Sequence, residues 1–177
     1  LTVLDRLELL DELRASSREV SRVRIETASG RALLDLSYDV APGAVPALGV
    51  HRGTLFSLLH REVAARGIPV ELGVAVTGVR PTPGGVAVET AHGDHGAYDL
   101  VVGADGSRSR VRWSLDVTVR DRPYEYGALW SIVEDPDEHA ADTLHQCLRG
   151  TRSYLGVLPT GRGRTSLFWS VRRRDMA

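Results

Sequence analysis

Residues 99–112 constrain the fold of this chain more than any other stretch. They read Asp-Leu-Val-Val-Gly-Ala-Asp-Gly-Ser-Arg-Ser-Arg-Val-Arg. Leu100, Val101 and Val102 form a short apolar run with no polar face, which suits a strand buried on both sides in a parallel sheet flanked by helices. Gly103 and Gly106 bracket Ala104 and Asp105, and glycine lets a chain turn sharply and lets a ligand approach the backbone. Ser107 or Ser109 is placed to cap a helix that starts there. The stretch therefore predicts strand, tight turn, acid and helix start. A carboxylate at the carboxyl end of a buried strand is where an open α/β sheet places a ligand-contacting group. The Asp-Gly pair by itself also suits an ordinary strand-turn-helix junction.

The flanking sequence supplies the other elements. Leu1, Leu4, Leu7, Leu10 and Leu13 predict one amphipathic helix packed on the core. Residues 19–27 alternate, Ser29-Gly30 marks a turn, and residues 32–36 return as a second strand, which together predict a hairpin. Proline and glycine make residues 41–46 a loop. Leu55, Leu58, Leu59 and Val63 share one helix face, and that helix ends near Gly67. Arg52 stands just before its first turn, where the positive end of the helix dipole gains nothing from a cation; a solvated arginine is the plain reading. His51 reads as a loop residue.

Residues 70–80, 86–88 and 98–102 predict a small meander, with turns at 81–85 and 92–96. His92 and His95 lie in the second turn without a third ligand, and a zinc site needs three or four, so they read as surface residues. Beyond Arg112, residues 116–120, 124–133, 144–148, 153–158 and 165–171 predict an antiparallel sheet, with an acidic loop at 134–138. The glycines of residues 161–166 follow no buried strand and open no helix, so they predict a hairpin turn. The fold class is mixed α/β.

Charge narrows the partners. The 177 residues carry 22 basic and 23 acidic side chains, a net charge of -1, and every basic residue is arginine. No global field favours nucleic acid or an anionic membrane. A single cysteine, Cys147, rules out an internal disulfide framework and fits a reducing, cytoplasmic compartment. No apolar run approaches the ~20 residues of a membrane span. Asp5, Glu8, Asp11 and Glu12 interrupt anything resembling a signal peptide. Both ends read as cut, which predicts a fragment of a longer enzyme.

Gly103-Ala104-Asp105-Gly106, followed by Ser109 and Arg112 at Ser-x-x-Arg spacing, resembles the second cofactor motif of the single-component FAD-dependent aromatic hydroxylases related to p-hydroxybenzoate hydroxylase. The string from His51, His-Arg-x-x-Leu-x-x-x-Leu, looks like the pattern in which that family's arginine, here Arg52, reaches the flavin. The resemblance extends over nearly the whole chain by order of motifs. It implies a partial Rossmann-like FAD-binding domain from residues 1–18 and 49–113. It also implies an antiparallel β-sheet substrate domain from residues 19–48 and 114–177, which roofs the flavin.

The implied cofactor-binding residues are Arg52, Val76, Gly103, Asp105, Gly106, Ser109 and Arg112. The backbone around Val76 meets the adenine end. A carboxylate beside a pyrophosphate would repel it, so Asp105 is expected to bind hydroxyls, waters or backbone amides, while Ser109 and Arg112 support the loop through phosphate or carboxylate pairing. The implied chemistry is reduction of FAD by NADPH or NADH, and transfer of one oxygen from a flavin C4a-hydroperoxide to a small aromatic substrate; self-association is left open. No catalytic residue in the strict sense stands out. Tyr126, Trp130 and Trp169 suit an aromatic pocket, although core packing is the plainer role for each.

The family's opening Gly-x-Gly-x-x-Gly unit and its later Gly-Asp-Ala motif are not in these residues. Without a helix N-terminus for the pyrophosphate, the 177 residues alone are expected not to hold FAD stably and to be inactive. Halogenases and lipid-chain reductases share the glycine–aspartate turn, and a non-catalytic flavoprotein-derived binding module is the other alternative.

Overall fold

The computed structural model describes residues 1–38, 46–151 and 153–176. In chain order the elements are α1 (Thr2–Arg6), α2 (Leu10–Ala15), β1 (Arg18–Val20), β2 (Arg22–Thr27), β3 (Ala32–Ser37), β4 (Ala47–Gly49) and α3 (Arg52–Ala65). There follow β5 (Val76–Thr82), β6 (Gly85–Thr90), β7 (Gly93–Tyr98), α4 (Arg110–Ser114), β8 (Tyr126–Glu134), β9 (Thr143–Arg149), β10 (Ser153–Gly161) and β11 (Arg164–Arg172). They fall into two compact units, Leu1–Gly67 with Tyr124–Ala177, and Ile68–Pro123. The loop expected at 41–46 lies outside the described residues except for Pro46.

In the first unit, the single helix expected over residues 1–14 is two helices, broken at Glu8, whose φ is 60°. The spacing explains the break. A helix turns about 100° per residue, so a leucine at every third position slips back about 60° each time and cannot stay on one face. The kink lets Leu9 and Leu13 reach Leu58 of α3 and form the buried centre, with Leu4, Leu7, Leu48, Val50 and Leu55 around it. α3 spans the expected helix, and its exit is marked by Gly67 at φ +66°. β1 and β4 pair antiparallel beneath these helices.

The larger sheet has the order β3-β2-β9-β10-β11-β8. The expected hairpin, β2 with β3, is antiparallel, as are β9–β10, β10–β11 and β11–β8. The hairpin joins through one parallel pair, Arg22 opposite Thr143 to Thr27 opposite Leu148, so the sheet is mixed rather than wholly antiparallel. Residues 161–163 form the expected turn between β10 and β11.

The second unit is the meander β5-β6-β7 with α4 on its edge, tied by the Val79 amide donating to Ser114 Oγ at 2.9 Å. Four expectations fail here and just beyond. The strand expected from residue 70 begins only at Val76; Gly73, at φ +75°, interrupts the extended run before it. The turn expected at 92–96 is largely strand β7, in which His95 faces Tyr98 Oη at 3.1 Å and Glu71 at 2.8 Å. Residues 100–102 are not a buried strand: Leu100 and Val102 are each 77% exposed. No strand among the described residues pairs with them, and an apolar run without a ladder partner leaves its amides and carbonyls to water. Residues 116–120 form no strand for the same reason. No three potential metal-ligating side chains are grouped among the described residues. No helix among them is long and apolar enough to cross a membrane.

The turn from β8 to β9 is fixed by one carboxylate. Asp135 is 9% exposed. Its Oδ1 accepts from the His139 amide at 3.1 Å and from His139 Nδ1 at 2.7 Å, and its Oδ2 accepts from Thr165 Oγ1 at 2.9 Å. The His139 ring, then its amide, holds the Asp135 pKa down to about 2, and Asp135 in turn raises that of His139. The aspartate contribution is complete above the ordinary carboxylate value near pH ~4 and fades as pH falls toward 2. The histidine contribution is complete below about pH 6.5 and fades as pH rises through its raised value. Asp135→Asn should therefore lower the Tm most between about pH 4 and 6.5, with a smaller deficit on either side. Thermal unfolding across pH measures this, and a deficit that does not vary with pH contradicts the assignment.

Candidate functional site

Two groups of residues carry the chemistry, one in each unit. In the unit Ile68–Pro123, the glycine–aspartate turn leads directly into α4. A Cβ at Gly103 would lie 2.9 Å from Val111 Cγ1, so the turn passes too close to the helix for a side chain. Gly106 has φ +81°, the left-handed region that glycine enters freely. Of the two serines expected as caps, Ser109 is the one used: its Oγ accepts from the Arg112 amide at 2.9 Å. The same hydroxyl donates to Asp105 Oδ1 at 2.5 Å, while Asp105 Oδ2 accepts from the amides of Arg110 at 2.6 Å and Val111 at 3.2 Å.

The Asp105 carboxylate thus neutralises the positive start of α4. The Ser109 hydroxyl first, and these amides after it, keep its pKa below the usual carboxylate range. Arg112 Nη2 donates to the Ser107 carbonyl at 2.6 Å, and its guanidinium lies 6.0 Å from the Trp113 ring centroid. Arg112 Nε is buried without a hydrogen-bond partner, and no ion pair involves Arg112 among the described residues. Arg112 therefore braces the turn through a backbone carbonyl rather than through a carboxylate. It keeps its charge and one orphaned donor, which fits a site for phosphate oxygens. Val76 begins β5, the outer strand of the meander, opposite Thr90.

In the other unit, Arg52 is the first residue of α3, and His51 is its N-cap with no side-chain bond. Arg52 is exposed, and its guanidinium lies 5.6 Å from the Trp130 ring centroid. Such a contact contributes about 0.5–1 kcal/mol at an exposed position. No carboxylate pairs with Arg52 among the described residues. Beneath it opens a cleft of ≈ 400 Å³, bounded by Val50, Arg52, Trp130, Ile132, Leu158 and Ser166.

From Trp130 an aromatic row continues along the same face of the sheet. Trp130 and Phe168 have ring centroids 5.1 Å apart, and Phe168 and Tyr154 5.0 Å. Gly156 makes room for them: a Cβ there would lie 1.9 Å from Phe168 Cε1. The sequence reading of the aromatics as core residues is corrected here. Trp130 is exposed in the cleft. Trp169 is exposed on the opposite face, where its Nε1 donates to Ser153 Oγ at 3.2 Å. Tyr126 is half-buried near Arg172, 5.9 Å from the guanidinium.

Sequence reasoning missed Phe168, Tyr154 and Ile132. The available signal was parity: in paired strands, residues that share a register row share a face, but the rows are known only once the strand order is. A larger hollow of ≈ 590 Å³ lies beside Arg18, Tyr38 and Asp142. Its polar groups are committed to one another, Arg18 to Glu138 at 2.9 Å and Ser21 to Asp142, which leaves less for a ligand than the cleft under Arg52.

Known proteins resemble the chain over most of its length. The chain is 32% identical over 156 residues to an aurachin C monooxygenase/isomerase of Stigmatella aurantiaca, an alignment covering 87% of this chain and 40% of that protein. It is 26% identical over 170 residues to the ubiquinone hydroxylase UbiL of Rhodospirillum rubrum, covering 96% and 39%. Among solved structures, Klebsiella pneumoniae HpxO, complexed with FAD and uric acid, matches with a TM-score of 0.75 and 25% identity over 96% of this chain and 44% of that one. A 2-methyl-3-hydroxypyridine-5-carboxylic acid oxygenase shares the fold with a TM-score of 0.82 at 19% identity, covering 98% and 46%. The chain spans about two fifths of the length of these curated relatives. The model of the FAD binding domain family matches residues 1–176, and the chain belongs to that family.

Proposed function

We propose that these residues are part of an FAD-dependent, NAD(P)H-using monooxygenase that hydroxylates an aromatic substrate. The observation that carries this reading is Arg52, a cation with no carboxylate partner among the described residues, held at a helix start over the aromatic cleft of Trp130, Phe168 and Tyr154. Family membership gives that arrangement its cofactor. Bound FAD, reduced by NADPH or NADH, supplies the activation of dioxygen and the transfer of one oxygen atom; the protein's own residues bind, orient and exclude water.

In this reading residues 1–18 and 49–113 serve the FAD-binding side, and residues 19–48 and 114–177 roof the substrate. Arg52 lies against the flavin, where an unpaired guanidinium stabilises negative charge on the ring system. Asp105 does not touch phosphate. It spends its charge on α4 and so fixes the Gly103–Gly106 turn, leaving that exposed backbone free to approach the ribityl–pyrophosphate region. Arg112 offers the positive charge and the unused Nε–H for a phosphate oxygen, and Ser109 locks both to the helix. The Val76 backbone, at an outer strand, meets the adenine end. The wall of Trp130, Phe168 and Tyr154 supplies a dry aromatic surface for the substrate ring.

Titrating the 177-residue chain with FAD, and following flavin fluorescence, tests the reading. The chain should quench the flavin reversibly and release it on gel filtration. Arg52→Ala should weaken the affinity about tenfold, with Arg52→Lys recovering part of the loss and Arg52→Ala lowering the Tm by only about 1–4 °C, the share of its one exposed ring contact. Equal affinity for wild type and Arg52→Ala would sink the assignment of Arg52.

A further inference from the structure

We propose that the substrate of the Arg52–Trp130 cleft carries a long apolar tail, which lies across the sheet from Trp130 to Leu34 and Leu36. The inference rests on the reading of that cleft as the substrate site. It begins from the register. One row crosses all six strands: Trp130 is opposite Phe168, Phe168 opposite Gly156, Gly156 opposite Gln146, Gln146 opposite Ile25, and Ile25 opposite Leu34. In the next row Ile132, Ser166 and Leu158 are followed by Leu144, Val23 and Leu36. Alternation puts all of these side chains on the face that carries the cleft.

The hairpin at the far end is sorted by face. Arg22, Arg24, Glu26 and Asp35 stand on the opposite side, where Arg22 meets Asp35 at 2.5 Å and Arg24 meets Glu26 at 3.1 Å. Val23, Ile25, Leu34 and Leu36 are left on the side of Trp130, with Leu34 44% and Leu36 42% exposed. The only amide in the first row, Gln146, is taken by the Tyr154 hydroxyl. The result is a continuous apolar path. Five strand spacings make it about 24 Å long, whereas one aromatic ring covers fewer than two of them. The path is continuous with a cleft whose polar end is Arg52. The complementary ligand is a polar aromatic head under Arg52 with an aliphatic chain running toward β3.

The test is calorimetric binding of 4-alkylphenols with side chains of two to about fourteen carbons, the longest of which spans the path, to the full 177-residue chain. On an open face each methylene is about half-buried, so affinity should rise about twofold per methylene along the whole path. Leu34→Ser with Leu36→Ser should flatten the increase at the long end. Leu155→Ser changes an exposed leucine on the opposite face of the same sheet and should leave it intact. Arg52→Ala should weaken every phenol by one constant factor without changing the slope.

A flat wild-type series overturns the proposal. So does a Leu155→Ser variant that flattens it as much as the Leu34/Leu36 pair, since binding would then be unspecific adsorption. If the slope survives while Arg52→Ala has no effect on phenols or on FAD, the tail path stands and the reading of Arg52 fails.

Discussion

The cleft depends on how closely a short strand lies on the large sheet. A Cβ at Gly49, the last residue of β4, would lie 1.8 Å from the Pro159 carbonyl oxygen of β10. Only glycine permits that approach, and any side chain there would push the helical layer off the sheet. The chain then has two residues, Val50 and His51, in which to turn from β4 into α3. That short connection is what brings the guanidinium of Arg52, the first residue of α3, over Trp130. The buried leucines Leu9, Leu13 and Leu58 anchor α3 from its other side. Loop geometry and core packing thus fix the position of one exposed cation, which is how a solvated side chain becomes a placed one.

A second economy governs the glycine–aspartate turn. Three donors converge on Asp105, the Ser109 hydroxyl and two helix amides. A carboxylate so occupied spends most of its acceptor capacity on the helix start, which shapes the backbone of the turn. Arg112 is the reverse case. It is bound at one nitrogen and orphaned at another, and a buried orphan is costly unless something completes it. The acid positions the turn, and in the proposed reading the base is left for the anion, a division of labour that suits the charge of a pyrophosphate.

Much of this was legible in the sequence, and the exceptions have physical causes. The helix after Arg52, the hairpin of β2 and β3, and the strands from Tyr126 onward follow from periodicity and from the turn residues that bound them. Ser109 was identifiable as a cap, and the family's motif was identifiable from Gly103, Asp105, Gly106, Ser109 and Arg112. Residues 100–102 misled, because a continuous apolar run specifies burial only in company with paired strands. The leucine row at the start misled because a three-residue spacing resembles a helical face without staying on one. The aromatic row was invisible: Trp130, Phe168 and Gly156 come from three strands, and their meeting depends on a register that no local pattern encodes. The parallel pairing of β2 with β9, which carries the apolar path past β10, is likewise a property of the topology alone.

The most direct measurement is the response of the tryptophan indole N–H signals of the isotope-labelled chain to FAD. Trp130 and Trp169 sit one register row apart on adjacent strands but on opposite faces of the sheet. The account predicts that FAD shifts the Trp130 signal in proportion to saturation and leaves the Trp169 signal in place. A shift at Trp169 with Trp130 unmoved would put the cofactor on the wrong face and contradict the assignment of the cleft.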